Sequence, residues 1–238
     1  MIPLARPPIS LPTQRTLSRR QQRVNGATSP ADEAKRSWGT FSGTARREVL
    51  DTLKRMCSGI ERCMYCEDSL ATTIDHYRPK ATYPDHCFAW SNYLLACSYC
   101  NSNMKRDAFP VDGDQPLLID PTTMDPLEHL ALSPTTGLYV PLDRIGQATI
   151  DVFGLNRDVC TKGRRNAWTA LCALVVRYAE AVEAGDDAYC DHILAAVSEY
   201  PFQGVRRWMA RTASSASRQA ILGSEVSSAI ANYPQLLA

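Results

Sequence analysis

No stretch of this sequence approaches the roughly 18 consecutive apolar residues that a membrane-spanning helix needs, so no membrane partner is expected. Met1 to Pro12 is poor in apolar residues and interrupted by Pro3, Pro7, Pro8 and Pro12, unlike the apolar segment of a secretory signal. A cytoplasmic protein is expected. Strong charge is also missing: the net charge is +1, which by itself argues neither for nor against nucleic acid. No internal repeat is visible.

What remains is a chain of 238 residues, 45% hydrophobic and 21% charged, long enough to bury a core without disulfides as one domain or two small ones. Its nine cysteines are an odd number, and a reducing compartment disfavours bridges. Cys63, Cys66, Cys97 and Cys100 instead form two C-x-x-C pairs, a metal-ligand spacing. Cys57, Cys87, Cys160, Cys172 and Cys190 share no such pattern and read as small apolar residues. Charge is uneven: Met1 to Glu48 carries nine Lys or Arg against three acidic residues. A basic arm of this kind can track a phosphate backbone or can simply be solvated.

Four segments follow from pattern. Residues 1–44 are rich in Pro, Ser, Thr and Arg with little periodicity, and predict an extended basic arm. Residues 45–115 open on a helix over Ala45–Ile60, with Val49, Leu50, Leu53, Met56 and Cys57 at helical spacing and Thr44 as its cap. A metal-organised module follows, with short strands at Ala71–Tyr77 and Tyr93–Cys97 and a short helix at Asn101–Asp107. Residues 116–160 hold turn signals around short apolar pieces such as Leu138–Val140 and Ala148–Val152, predicting a hairpin or irregular wrap. Residues 161–238 are helical in pattern: Arg164–Ala184, Asp187–Tyr200, Gly204–Ala213 and Ser217–Ala231. The fold class expected is α+β, mostly α.

Four thiolates close a tetrahedral zinc site with no position left for water, and such a site is structural. Between the pairs lies Asp75-His76-Tyr77-Arg78-Pro79-Lys80. Asp75 and Asn101 offer two hard oxygens, a sparse site suited to Mg²⁺ or Mn²⁺ carrying its own waters. Neighbours on a strand face opposite ways unless the strand breaks, as Pro79 suggests.

The strings C-M-Y-C, I-D-H-Y-R-P-K and W-S-N-Y-L-L-A-C-S-Y-C-N, followed by Lys105 and Phe109-Pro110, resemble the zinc-bearing HNH endonucleases. Asp75 to Lys80, Tyr83-Pro84, Trp90 with Asn92, Pro116 to Pro121, Glu128-His129-Leu130 and Gly154 to Arg157 with Arg164 and Arg165 resemble the PtuB branch of Septu and retron antiphage defence. The resemblance runs from about Arg62 to Trp168. It implies a zinc-bearing ββα-metal core, His76 as general base, Asp75 and Asn101 on the catalytic ion, Asn92 fixing the loop, and a separate PtuA-like ATPase subunit as partner. Many HNH enzymes carry His where this chain has Asn101, and Asn103 competes for the same role.

The chemistry coheres without the family. Phosphodiester hydrolysis of DNA or RNA needs a base near neutrality, which a histidine supplies, and cations on flanking phosphates, for which Arg78, Lys80, Lys105 and Arg106 are candidates. His86 is a further candidate in the loop. His129 reads as a backbone partner and His192 as an ordinary helix residue. The competing reading is a zinc-knuckle adaptor that binds nucleic acid or protein without cutting.

Overall fold

The computed structural model describes residues 1–57, 59–68 and 70–237. Helices dominate, and the described strands form three two-stranded antiparallel sheets, so the class is α+β and mostly α, as expected.

The extended arm expected over the first forty-four residues is largely helical. Ser10 accepts from the amide of Thr13 and Pro12 suits the first turn, which starts α1 (Leu11–Asn25) with Thr13, Leu17 and Val24 on its buried face. Of the arginines that mask this stripe in the sequence, Arg15, Arg19 and Arg23 are exposed, while Arg20 is half-buried and donates to the Ser37 carbonyl. After α2 (Pro30–Gly39) and α3 (Gly43–Arg55), Glu48 of α3 accepts from the Ser10 amide at 2.6 Å, the Ser10 hydroxyl at 2.7 Å and the Thr13 hydroxyl at 2.6 Å. These bonds clasp α1 to α3. The helix predicted to run to Ile60 ends at Arg55, capped from Ser42 without a side-chain bond rather than from Thr44; position 58 lies outside the described residues.

The hairpin that carries the site comes next. Strand β1 (Thr73–His76) pairs antiparallel with β2 (Tyr93–Ala96) in the register Thr73↔Ala96, Ile74↔Leu95, Asp75↔Leu94 and His76↔Tyr93. All four residues of β2 are buried, the mark of a strand covered on both faces. The chain then enters a π-helix, Tyr99–Lys105, where an ordinary helix is predicted two residues further on.

A small hairpin, β3 (Val111–Asp112) with β4 (Gln115–Pro116), leads to α4 (Pro126–His129) and a second hairpin of β5 (Leu130–Leu132) and β6 (Tyr139–Pro141). The expected wrap is thus partly a hairpin, but Ala148–Val152 lies in a helix, α5 (Arg144–Phe153), begun by Asp143 accepting from the Gly146 amide and closed by left-handed Gly154. Four of its buried positions, Gly146, Thr149, Ile150 and Phe153, recur at helical spacing, and that spacing outweighs the β-like run.

The long helix α6 (Asp158–Glu183) and α7 (Asp187–Glu199) pack on α8 (Gln203–Ala213). The single helix predicted over Ser217–Ala231 is two, α9 (Arg218–Leu222) and α10 (Ser224–Asn232), because Gly223 takes φ 80° between them. Among the described residues no helix is long and apolar enough to cross a membrane.

Candidate functional site

The turn before β1 and the end of β2 bring both C-x-x-C pairs together. The Met64 amide donates to the Leu95 carbonyl at 2.9 Å, laying the first pair against the second strand. The four sulfurs of Cys63, Cys66, Cys97 and Cys100 lie within 4.8 Å of one another and are buried, and Cys66 Sγ is 3.9 Å from Cys97 Sγ. Ligand bonds of about 2.3 Å in a tetrahedron set the sulfurs about 3.8 Å apart, whereas a disulfide would need about 2 Å. All four are free thiols. Hydrogen bonding from Cys100 and Cys160 pulls the Cys66 thiol far down, while burial pushes Cys63 far up. So crowded a set of sulfurs ionises together only around a cation, and the cluster can hold a metal ion.

A fifth sulfur belongs to this neighbourhood. Cys160, near the start of α6, lies within 4.8 Å of Cys66 and Asp68 through their ligand atoms, so it is not the unconnected apolar residue its isolation in the sequence suggests. Arg157, one turn earlier, places its guanidinium 4.6 Å from the Tyr99 ring centre. Arg164 donates to the carbonyls of Gly137 at 2.6 Å and Leu155 at 2.8 Å. The stretch from Gly154 to Arg164 therefore joins α6 to the cluster and to the second hairpin.

Regular pairing continues through His76, so the strand does not break before it, and Asp75 and His76 face opposite sides of the hairpin. On one side Asp75 is 2% exposed. It accepts from the Tyr65 hydroxyl at 2.5 Å, and the Lys105 ammonium lies 3.0 Å from each carboxylate oxygen. Burial raises the Asp75 carboxyl above its usual range, and Lys105 draws it back. Lys105 also donates to the His76 carbonyl. It is 1% exposed, so it is a buried ion-pair partner rather than the solvent-facing phosphate contact expected of it.

Asn101 donates to the Thr73 hydroxyl at 3.1 Å, at the end of β1 remote from His76, and Asn103 is exposed. Asp75 and Asn101, expected to share a divalent ion, are each hydrogen-bonded to protein groups here. Both oxygens of Asp75 are engaged by Tyr65 and Lys105.

The other side belongs to His76. A carbonyl only accepts, so the 3.0 Å contact of His76 Nε2 with the Cys87 carbonyl puts the proton on Nε2 and leaves the lone pair on Nδ1. The Tyr93 hydroxyl donates to the same carbonyl at 2.8 Å. Burial, and then the charge of Lys80, hold the imidazole down at about 3, so it is neutral at ordinary pH. Its ring meets Trp38 edge-on at 4.3 Å and Tyr93 at 5.3 Å.

Asn92 closes the loop between the strands: its Oδ1 accepts from the Arg78 amide at 2.7 Å, and its Nδ2 donates to the carbonyls of Arg78 and His86 at 3.0 Å each. Arg78 sits 5.4 Å from the Tyr83 ring and 5.3 Å from Phe109. Lys80 is half-buried, and Arg106 is exposed with φ 49°. Beside Asn92 opens a cleft of about 390 Å³ lined by Arg6, Tyr77, Arg78, His86 and Asp120, among others.

Sequence reasoning did not single out Tyr65, Trp38, Cys160 or the Cys87 carbonyl. Trp38 reaches the hairpin from a segment read as an extended arm, and a peptide oxygen leaves no mark in a residue pattern. Tyr65 stood in plain view inside the first C-x-x-C.

No family model matches the chain. It is 29% identical over 155 residues to the Septu protein PtuB of Bacillus mycoides, covering 52% of each chain. It is 30% identical over 101 residues to the PtuB of Bacillus thuringiensis, covering 40% of this chain and 37% of that one. A Retron Vc95 protein of Vibrio cholerae, named as a candidate HNH endonuclease, is 30% identical over 132 residues, 49% of this chain and 61% of its own. The chain thus spans about half the length of the first of these relatives. Over roughly half of its own length it is a homologue of the Septu PtuB proteins, with a retron protein named as a candidate HNH endonuclease among its relatives, and together these relatives support a PtuB-like HNH nuclease.

Proposed function

We propose that this protein is an HNH-type endonuclease of antiphage defence, hydrolysing phosphodiester bonds of DNA or RNA with His76 as general base. The observation that carries the reading is the bond from His76 Nε2–H to the Cys87 carbonyl. It holds the ring as the tautomer whose Nδ1 can take a proton from an attacking water. Asn92 keeps the loop in the shape that offers this carbonyl, through its bond to the neighbouring His86 carbonyl. Arg78, Lys80 and Arg106 are the cations left to meet flanking phosphates, and Lys105 acts from within by setting the charge of Asp75.

Zinc is the metal proposed for Cys63, Cys66, Cys97 and Cys100, since four thiolates suit it and leave no open position. It would supply folding energy and geometry rather than chemistry. The hairpin followed by the π-helix makes up the proposed ββα-metal core. The resemblance extends the reading to a PtuA-like ATPase subunit as partner, with the C-terminal helices as the proposed docking surface.

One observation favours a second reading. The capping of Asp75 by Lys105 and Tyr65 suits a zinc-knuckle adaptor that binds without cutting. The deciding experiment incubates the purified protein, with and without the partner ATPase, with plasmid DNA and with RNA in Mg²⁺ or Mn²⁺. Wild type is expected to cut. His76→Ala is expected to lose about 10²–10⁴-fold of that rate while keeping its zinc. Wild type that cuts nothing under any of these conditions hands the function to the adaptor.

A further inference from the structure

We propose that Arg46 of α3 and Lys80 of the loop after β1 form a two-cation clamp for the nucleic-acid phosphate presented to His76, with the Trp38 indole as the wall beside it. The inference rests on the nuclease reading of His76 and adds a phosphate site drawn partly from the N-terminal helices.

Geometry comes first. The Trp38 ring lies 4.3 Å from the His76 ring, and the Arg46 guanidinium lies 5.1 Å from the Trp38 ring centre and 5.8 Å from that of Phe41. Lys80 follows β1 by four residues, and both cations act electrostatically on the imidazole. Two charges from segments far apart in sequence therefore bear on one histidine.

Their lack of partners is the second observation. Among the described residues no carboxylate lies within ion-pair distance of Arg46 or Lys80, whereas Arg36, Lys54 and Lys105 are matched by Glu33, Glu61 and Asp75. Arg20 shows what a structural arginine looks like in the same aromatic cluster. It lies over Phe41 and Phe88, but its guanidinium donates to the carbonyls of Ser37 and Thr40. Arg46 makes no side-chain hydrogen bond among the described residues, so ring faces hold it in place while its N–H donors stay available to phosphate oxygens. Unmatched cations repel each other, and a backbone phosphate between them relieves that repulsion as it binds.

The test uses the full chain carrying His76→Ala, so that the probe survives, and fluorescein-labelled duplex DNA and RNA probes followed by anisotropy over a salt series. Arg46→Gln and Lys80→Gln are each expected to weaken binding about five- to tenfold and to flatten the log Kd against log salt slope by about one. The loss should be equal on both probes, since charge is read rather than sugar. Arg46→Lys should keep the slope, and Lys162→Gln, an exposed α6 cation paired with Asp158, should match the parent. Lys80→Gln keeps the test decisive if Arg46→Gln misfolds. Unchanged affinity and slope in the Gln variants overturns the clamp. The cutting assay separates the two claims: cutting with an unaltered slope removes the clamp alone, and a flattened slope in a protein that never cuts removes the nuclease alone.

Discussion

At the scale of single residues, the Asp75–Lys105 pair governs how the site is built. Two opposite charges in a dry interior cost much to bury, and removing one strands the other. Lys105→Met is therefore expected to destabilise the fold by about 3–5 kcal/mol in urea melts. Asp75→Asn combined with Lys105→Met should recover a large part of that loss; a double variant showing simple addition of the two single losses would mean that the pair is not coupled. The sequence made both residues legible as important, since an Asp-His dipeptide beside two cysteine pairs is unusual chemistry. It did not make their destinations legible. Lys105 ends inward because the π-helix sets its register, and one residue of helical phase separates a solvent cation from a buried one. Likewise, whether Asp75 and His76 share a side depends on where the strand ends. Pro79 signals a break, but the ladder runs on through His76 and separates them.

Among elements, the second hairpin shows how tightly backbone approaches backbone. Gly137 has φ 72°, and a Cβ there would lie 2.0 Å from the Thr161 carbonyl of α6. Gly43 has a similar φ of 77° with nothing near the corresponding position. Gly137→Ala is thus expected to cost clearly more than Gly43→Ala, for which only the backbone strain of about 1 kcal/mol remains. Equal shifts in thermal melts would show that the hairpin is free to move off α6. Strands β1 and β2 and the C-terminal helices were readable because period and spacing are local signals. Helices α1 and α2 were not, because Thr13, Leu17 and Val24 are spread thinly among Pro and Arg, and their stripe gains meaning only against the body they cover. Helix α5 was missed for the opposite reason: Ala148–Val152 is apolar enough to pass for a strand until Gly146 and Phe153 extend the pattern.

Across the whole molecule, the cysteine cluster acts as a junction. It ties the loop before β1 to the end of β2, and through Cys160 and Arg157 it reaches the start of α6, whose far end packs Tyr178 against Tyr233, 5.4 Å between ring centres. Stripping the metal proposed for it is therefore expected to disturb more than the hairpin. In alkylation followed by mass spectrometry, chelator should expose Cys160 together with Cys63, Cys66, Cys97 and Cys100, while Cys190 in α7 stays protected. Cys160 remaining as slow as Cys190 would show that α6 holds its position without the cluster.

The carbonyl that orients His76 has an implication for anyone comparing or redesigning such chains. It is part of the peptide unit, so replacing the side chain at position 87 cannot delete it, and a substitution scan would pass over the contact that decides which ring nitrogen carries the proton. Retuning the ring means rerouting the main chain between Pro84 and Trp90. Loop length there, more than residue identity, is the variable to watch.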